Sequence, residues 1–438
     1  MQKSTRNLIS LAVGLCIVMI AIAVLYPPVR DRLAWRLNEA QIMIKSIISP
    51  PEKAEFVPQT QSGSPMPTPV IHTTQLNPTP TLTQTPLAEF TMTPLPYPTA
   101  TSTIEPLPTK IALKGVRYMD QHGLWNYCAP ANLAMALSYW GWEGDRLDTG
   151  KALKPYDKDK NVMPYEMADY VTTQTDLKAL VRVGGDLELV KRFLVKGFPV
   201  LVEKGAWIKD FSGVVSWMGH YEVITGYDDE KSELIAQDSY YSADYPVTYD
   251  NFIEGWRSFN YTYVMIYPAD KEYIVMDILG DQADEVVNYQ YAARKASDEI
   301  YALSGTNQFF AWFNRGTNLK ELQDYAGAAQ AYDEAFAIYN TLPEDKSVRP
   351  YRILWYQTGP YFAYYYTGRY YDVLSLSTTA IEAALDEPAL EESFYWRAMA
   401  KYALGDTYGA TQDFQESLKY HPDFEPTIYQ LQLLGIQP

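Results

Sequence analysis

Fourteen prolines fall between Pro50 and Pro108, with threonine almost as frequent, and a segment of that composition cannot build a hydrophobic core. Runs such as Pro65-Met66-Pro67-Thr68-Pro69 fix φ and remove backbone donors, which leaves polyproline II as the stiff local state. Residues 50–110 therefore read as a disordered stalk. The stalk divides the 438-residue chain into a short N-terminal part and a long C-terminal part that must hold every globular element.

The N-terminal part reads as a membrane anchor. Leu8 to Tyr26 carries no charge, and at about 1.5 Å of rise per residue it just crosses a hydrocarbon layer of roughly 30 Å. A cleaved signal peptide is the rival reading. Against it, the apolar run is long and leads into Pro27-Pro28 and Arg30 without a small-x-small site. Cys16, inside this run and preceded by Leu15, takes a packing role. Residues 27–49 follow as a juxtamembrane helix, with Leu33, Leu37, Ala40 and Ile44 on one face. Arg30, Arg32 and Arg36 after the span argue weakly for a cytoplasmic C-terminus, whereas the stalk argues for a globular part held off an outer surface. The expectation is a single-pass membrane protein with its domains outside the cell.

Charge and composition exclude several classes. A net charge of −17 without a basic block makes a nucleic-acid partner unexpected. Four histidines (His72, His122, His220 and His421) and one cysteine beyond the span give no zinc-ligand spacing. No metal and no cofactor are expected.

Beyond the stalk, period and punctuation change twice. A helix is expected from about Pro130 through Leu133, Ala136, Leu137 and Trp140 to Gly141, a second from Pro164 to Val171, and a third capped by Asp186 and ended by Gly197. Strands follow at Pro199–Glu203, His220–Asp228, Leu234–Asp238 and Tyr261–Tyr267, the middle pair joined by the turn Asp229-Glu230-Lys231-Ser232. Helices first and an antiparallel sheet afterwards make residues 111–270 an α+β domain.

Cys128 has no disulfide partner in this part of the chain, and it stands where an extended segment turns into a helix. Backbone N–H groups and the helix dipole there favour thiolate over thiol. His220 is the candidate base. With the turn centred near Glu230, Asp238 faces Glu222 and lies diagonal to His220, so that it can hold one imidazole nitrogen and leave the other for the thiol. Glu222 shares the face of His220 and competes for that role, and the reach of His122 is unconstrained. Gln121, seven residues before Cys128, can supply an oxyanion donor together with the Cys128 amide. A free cysteine at a helix start is more often a small buried hydrophobe; the co-occurrence of Cys, His, Asp and Gln shifts the balance toward chemistry.

The run Gln121-His-Gly-Leu-Trp-Asn-Tyr-Cys128-Ala-Pro-Ala-Asn-Leu-Ala-Met-Ala-Leu-Ser-Tyr-Trp-Gly141, with Gly219-His220-Tyr-Glu-Val-Ile-Thr-Gly226-Tyr-Asp and Ala236-Gln-Asp238, resembles the C39-like group of papain-fold cysteine peptidases. The resemblance covers roughly residues 111–267. It implies Cys128 as nucleophile, His220 as base, Asp238 as orienting carboxylate and Gln121 as oxyanion donor. Two departures bear on the oxyanion hole: Ala129 replaces the usual glycine, and the Gln-to-Cys spacing is slightly long. Family members fused to ATP-driven exporters cleave leader peptides after double glycine; no transporter is present here, so that substrate class does not carry over.

Residues 271–438 read as tetratricopeptide-like helical repeats. Trp312, Gly316, Leu319, Tyr325, Ala328, Tyr332 and Ala335 fall at the offsets of one helix pair, and Ala398, Gly405, Ala410, Phe414, Ser417 and Pro422 repeat them. Tyr364, Gly368, Tyr370 and Ala380 form a weaker copy. The whole expectation is an N-terminal tail (1–7), a transmembrane helix (8–26), a papain-like α+β peptidase domain and an all-α repeat domain. Its function reads as a membrane-anchored cysteine peptidase whose repeats bind a protein partner or substrate. The alternatives are a catalytically inactive peptide-binding module, and an amide hydrolase or transamidase acting on cell-wall peptides.

Overall fold

The computed structural model describes residues 27–58, 106–210 and 213–438. A mixed helix-and-sheet domain is followed by an all-α region. The sheet has seven antiparallel strands: β1 (Lys110–Ala112), β2 (Leu177–Arg182), β3 (Val200–Lys209), β4 (Val215–Asp228), β5 (Glu233–Asp238), β6 (Ser242–Thr248) and β7 (Tyr263–Pro268). They run in the order β2-β7-β3-β4-β5-β6, and β1 adds to β4.

Strand alternation feeds two cores. Leu201, Val223, Val264 and Ile266 pack with Leu133, Met135 and Leu137 of the helix Cys128–Tyr139. Val200, Val202, Ile224 and Met265 point the other way, toward Phe193 of the helix Leu187–Val195 and Trp256 of the helix Tyr249–Arg257. Neighbouring residues on a strand face opposite sides, so a sheet covered on both faces reads as an almost continuous apolar run. Each fully buried aliphatic side chain contributes about 1.5–3 kcal/mol. Asp186 caps its helix by accepting from Leu189 N at 2.8 Å, and Gly197 ends it at φ 82°, in the left-handed region.

The strands extend further than their apolar patches. β3 runs on to Lys209 and β4 begins at Val215, so His220 lies opposite Lys204. Val223 pairs with Gln237, and a bulge between Ile224 and Gly226 shifts the register nearer the turn.

The all-α region stacks helix on helix around one aromatic core that includes Phe309, Phe313, Tyr332, Phe336, Tyr361 and Phe414. A Cβ at Gly316 would meet the Tyr332 ring at 2.8 Å, so only glycine admits that ring. Two helix starts use the same turn chemistry: Asp324 accepts from Gly327 N at 2.9 Å, and Asp406 from Gly409 N at 2.8 Å.

The N-terminal expectation needs correction. Among the described residues no helix is long and apolar enough to cross a membrane, the helix Pro27–Ile48 included. Leu8 to Tyr26 lies outside the described residues, as does most of the Pro/Thr segment. Single-pass topology, a membrane partner and an extracellular placement therefore have no structural support. The Pro27–Ile48 helix packs on the rest of the chain instead: Ile42 is buried, and Lys45 donates to Ala384 O at 2.6 Å.

Candidate functional site

The chain enters the Cys128 helix through a tight turn. Asn126 adopts φ 47°, which asparagine tolerates better than most residues, and its side chain donates to Asp159 O at 2.8 Å. Tyr127 then occupies the N-cap position without a side-chain cap, so Cys128 opens the helix where backbone N–H groups have no intrahelical acceptor. Buried Asn132, one turn on, fixes this end. Its amide donates to Cys128 O at 2.9 Å, to Tyr221 O at 2.7 Å and to Ser239 Oγ at 2.7 Å. Helix start, β4 and the end of β5 are thus tied by one side chain.

Ser239 passes the constraint to Gln121. Ser239 Oγ donates to Gln121 Oε1 at 2.7 Å, and Gln121 N donates to Ser239 O at 2.9 Å. With its amide oxygen pinned, Gln121 keeps its NH2 for a ligand. On the other flank Lys154 is buried, and its ammonium donates to the carbonyls of Trp125, Asn126 and Asp157. Burial draws the Lys154 pKa down to about 8, against the pull of Asp159 and Cys128.

His220 and Asp238 are almost wholly inaccessible, and His220 Nε2 lies 2.9 Å from Asp238 Oδ1. The same Asp238 oxygen accepts from Tyr240 N at 2.8 Å and Tyr241 N at 3.2 Å. Burial disfavours both charged forms, but their mutual attraction outweighs it. His220 is pushed up to about 10, with Cys128 adding to the rise, and Asp238 is held down at about 2, helped by Lys204. His220 is therefore an imidazolium at neutral pH. Glu222, the competing carboxylate, pairs with Lys204 at 2.7 Å instead. Burial raises the Glu222 carboxyl, opposed by Lys204.

Cys128, His220 and Gln121 line one cleft of about 240 Å³, with Asn126 and Tyr240. Cys128 is partly accessible. His122 sits at the rim, exposed, its Nδ1 2.8 Å from Asp120 Oδ1. The Cys128 sulfur lies near enough to help raise the His220 pKa, yet buried His220 Nδ1 makes no hydrogen bond of acceptable length and angle to it.

Sequence reasoning missed the other walls. Glu39 of the Pro27–Ile48 helix and Tyr356 of the all-α region both line the cleft. Tyr356 closes over Gly219, where a Cβ would meet its ring at 2.8 Å. Just before it, buried Arg352 pairs with buried Asp210 at 2.7 Å and donates to Trp217 O at 3.2 Å. Lys160 pairs with Asp386 across the same junction. These partners are separated by well over a hundred residues, and no local pattern announces them. Part of the all-α region is thus packed on the domain beside it.

Among the described residues no group of His, Cys, Asp and Glu is arranged to hold a metal ion.

The model of the Peptidase_C39 like family matches residues 113–264. No curated protein matches the sequence. Among solved structures, a candidate C39-like peptidase from Bacillus anthracis aligns with 18% identity and a TM-score of 0.30, over 36% of this chain and 96% of that one. A likeness that slight carries no function. The comparisons lend nothing to the tetratricopeptide reading of the all-α region. The expectation of a membrane-anchored peptidase working through a complete triad is corrected on two counts: no described helix can span a membrane, and His220 Nδ1 makes no hydrogen bond of acceptable length and angle to the Cys128 sulfur. Residues 113–264 form a C39-like peptidase-family domain.

Proposed function

We propose that the chain is a C39-like peptide-binding protein that receives an extended peptide segment in the Cys128 cleft. One observation carries this reading: His220 Nδ1, beside Cys128 in the wall of the cleft, is buried without a hydrogen bond of acceptable length and angle. The imidazolium, held charged by Asp238, needs an acceptor there, because an unmade buried hydrogen bond costs about 1–3 kcal/mol and more for a charged group. A peptide carbonyl or terminal carboxylate supplies it. The Gln121 NH2 and the N–H groups opening the helix are further donors to a peptide backbone. Glu39, Tyr240 and Tyr356 wall the cleft, whose volume of about 240 Å³ suits a few residues of extended peptide rather than a folded surface.

A second reading, an amide hydrolase or transamidase, is favoured by the His220–Asp238 pair beside Cys128. In that chemistry the Cys128 sulfur adds to an amide carbonyl, His220 gives a proton to the departing amine, and water or another amine releases the acyl group from the thioester. Gln121 and the Cys128 amide stabilise the oxyanion.

A randomised octapeptide library passed over the immobilised full chain separates the two. Under the binding reading, peptides are retained by wild type and by Cys128→Ser alike, are lost in His220→Gln, and elute uncut. Products or a thioester adduct that form with wild type and disappear in Cys128→Ser would replace it with the second reading.

A further inference from the structure

A second cleft among the described residues, of about 510 Å³, lies apart from the one that holds Cys128. It opens where the β3–β4 hairpin, β6 and the helix Tyr249–Arg257 meet the start of the all-α region. Its wall is shared with the Cys128 cleft along β3, β4 and the dipeptide after β5. Tyr240 faces the Cys128 site and Tyr241 faces this one, and both backbone N–H groups bond Asp238.

Two of its side chains are aromatic rings left open to solvent, Trp207 at 38% and Tyr241 at 45% exposure. The Tyr241 ring is not loose: it stacks on Tyr245 at 4.5 Å with an interplanar angle of 10°. A rigid, partly wetted aromatic face gives contact area at little entropic cost. Around these rings stand neutral hydrogen-bonding groups, chiefly the exposed Asn251 side chain and Asn307. Asn307 accepts from Arg257 at 3.2 Å through its oxygen and donates to Glu254 at 3.5 Å through its NH2, so its orientation is fixed and its amide donor faces the rim.

The charge inventory narrows the ligand. Lys204 is the lining cation, and its charge is matched by Glu222 at 2.7 Å. Glu254 at the rim adds a negative charge. Phosphate, nucleotide and carboxylate ligands find no available cation, and a purely apolar ligand would bury the amides unsatisfied. What remains is an uncharged ligand with a flat C–H face for the rings and hydroxyl or acetamido groups for the amides. The electron-rich ring face attracts the slightly positive C–H edge of such a ligand.

From this geometry we infer that the cleft bounded by Trp207, Tyr241, Tyr245, Asn251 and Asn307 is a binding site for a neutral oligosaccharide. It is independent of the peptide reading of the Cys128 cleft, since it uses none of the same ligand-facing side chains.

Calorimetric titration of the full chain with chitotetraose, maltotetraose and cellotetraose tests it. At least one is expected to bind. Its affinity should fall about tenfold in Trp207→Ala and in Tyr241→Ala, the loss of one stacked ring, and remain unchanged in Cys128→Ser. Both substituted rings are well exposed, so the fold should survive, which circular dichroism checks. Absence of binding by all three saccharides overturns the inference. So does binding that is indifferent to both aromatic substitutions, or displacement of the saccharide by tetra-alanine at comparable concentration.

Discussion

Two of the places where carboxylates are buried in this molecule have opposite consequences. At the Cys128 cleft, Asp238 is buried against an imidazolium and its pKa is pulled down to about 2. At the junction between the C39-like domain and the all-α region, Asp159, Glu166, Glu391 and Glu392 crowd together, opposed by Lys154, Lys160 and His421. There, burial and mutual repulsion push Glu166 up to about 7 and Asp159 and Glu392 well above the ordinary carboxyl range. His421, 3.3 Å from Glu391, is raised in return. A matched buried charge is fixed; crowded carboxyls are pushed toward the protonated form, and Glu166 then responds to pH near neutrality.

Removing the match should have the largest effect. Asp238→Asn leaves His220 buried without its counter-charge, a loss of about 3–5 kcal/mol by analogy with other broken buried pairs. Chemical denaturation should report it. The pH dependence follows from the signs. The depressed Asp238 pKa gives stability that is present above the ordinary carboxyl pKa and lost as pH falls toward about 2. The raised His220 pKa gives stability that is complete below the ordinary imidazole value and lost as pH climbs through about 10. Both limbs should vanish in Asp238→Asn. An unchanged denaturation profile would show that the pair is not matched as described.

A smaller loss is expected at Asn132, which donates to three acceptors from a fully buried position. Asn132→Ala should cost about 1–3 kcal/mol and weaken peptide retention, because the helix start is no longer tied to Ser239 and Gln121. Retention at the wild-type level would make Asn132 a stability residue alone.

How far these features were legible beforehand depends on how local their partners are. The Cys128 helix, the Asp186 cap and the pairing around Val223 and Gln237 could be read because each rests on short-range periodicity or a single turn. The edge strand β6 could not: it contains Pro246 and a mostly exposed face, so it lacks the alternation that marks a half-buried strand. β3 looked short because its apolar run stops at Val202, which hid Lys204 opposite His220 and left Glu222 as an open rival to Asp238. Tyr356 reaches the cleft, and Arg352 and Asp386 the junction beside it, from the far end of the sequence, where only tertiary packing brings them in. The membrane and repeat readings came from composition and spacing, which constrain an element without fixing what it packs against.

The smallest effect belongs to the crowded cluster and has the opposite sign. Because the folded pKa of Glu166 is raised, its contribution to stability is complete below the ordinary carboxyl value and is lost as pH rises through about 7. Glu166→Gln should flatten the fall in melting temperature between pH 6 and 8 and raise it at pH 8 by about 2 °C or more. A steeper fall in the variant would mean that the junction needs that charge.

The state of the His220 ring tests the central claim most directly. With four histidines in the chain, selective 15N labelling of the full-length Cys128→Ser variant resolves its two nitrogens. The account predicts both nitrogens protonated from pH 6 through pH 9, and an Nδ1 proton that shifts when a library-selected octapeptide is added. A ring that titrates near the ordinary imidazole value, or an Nδ1 resonance indifferent to peptide, would contradict it.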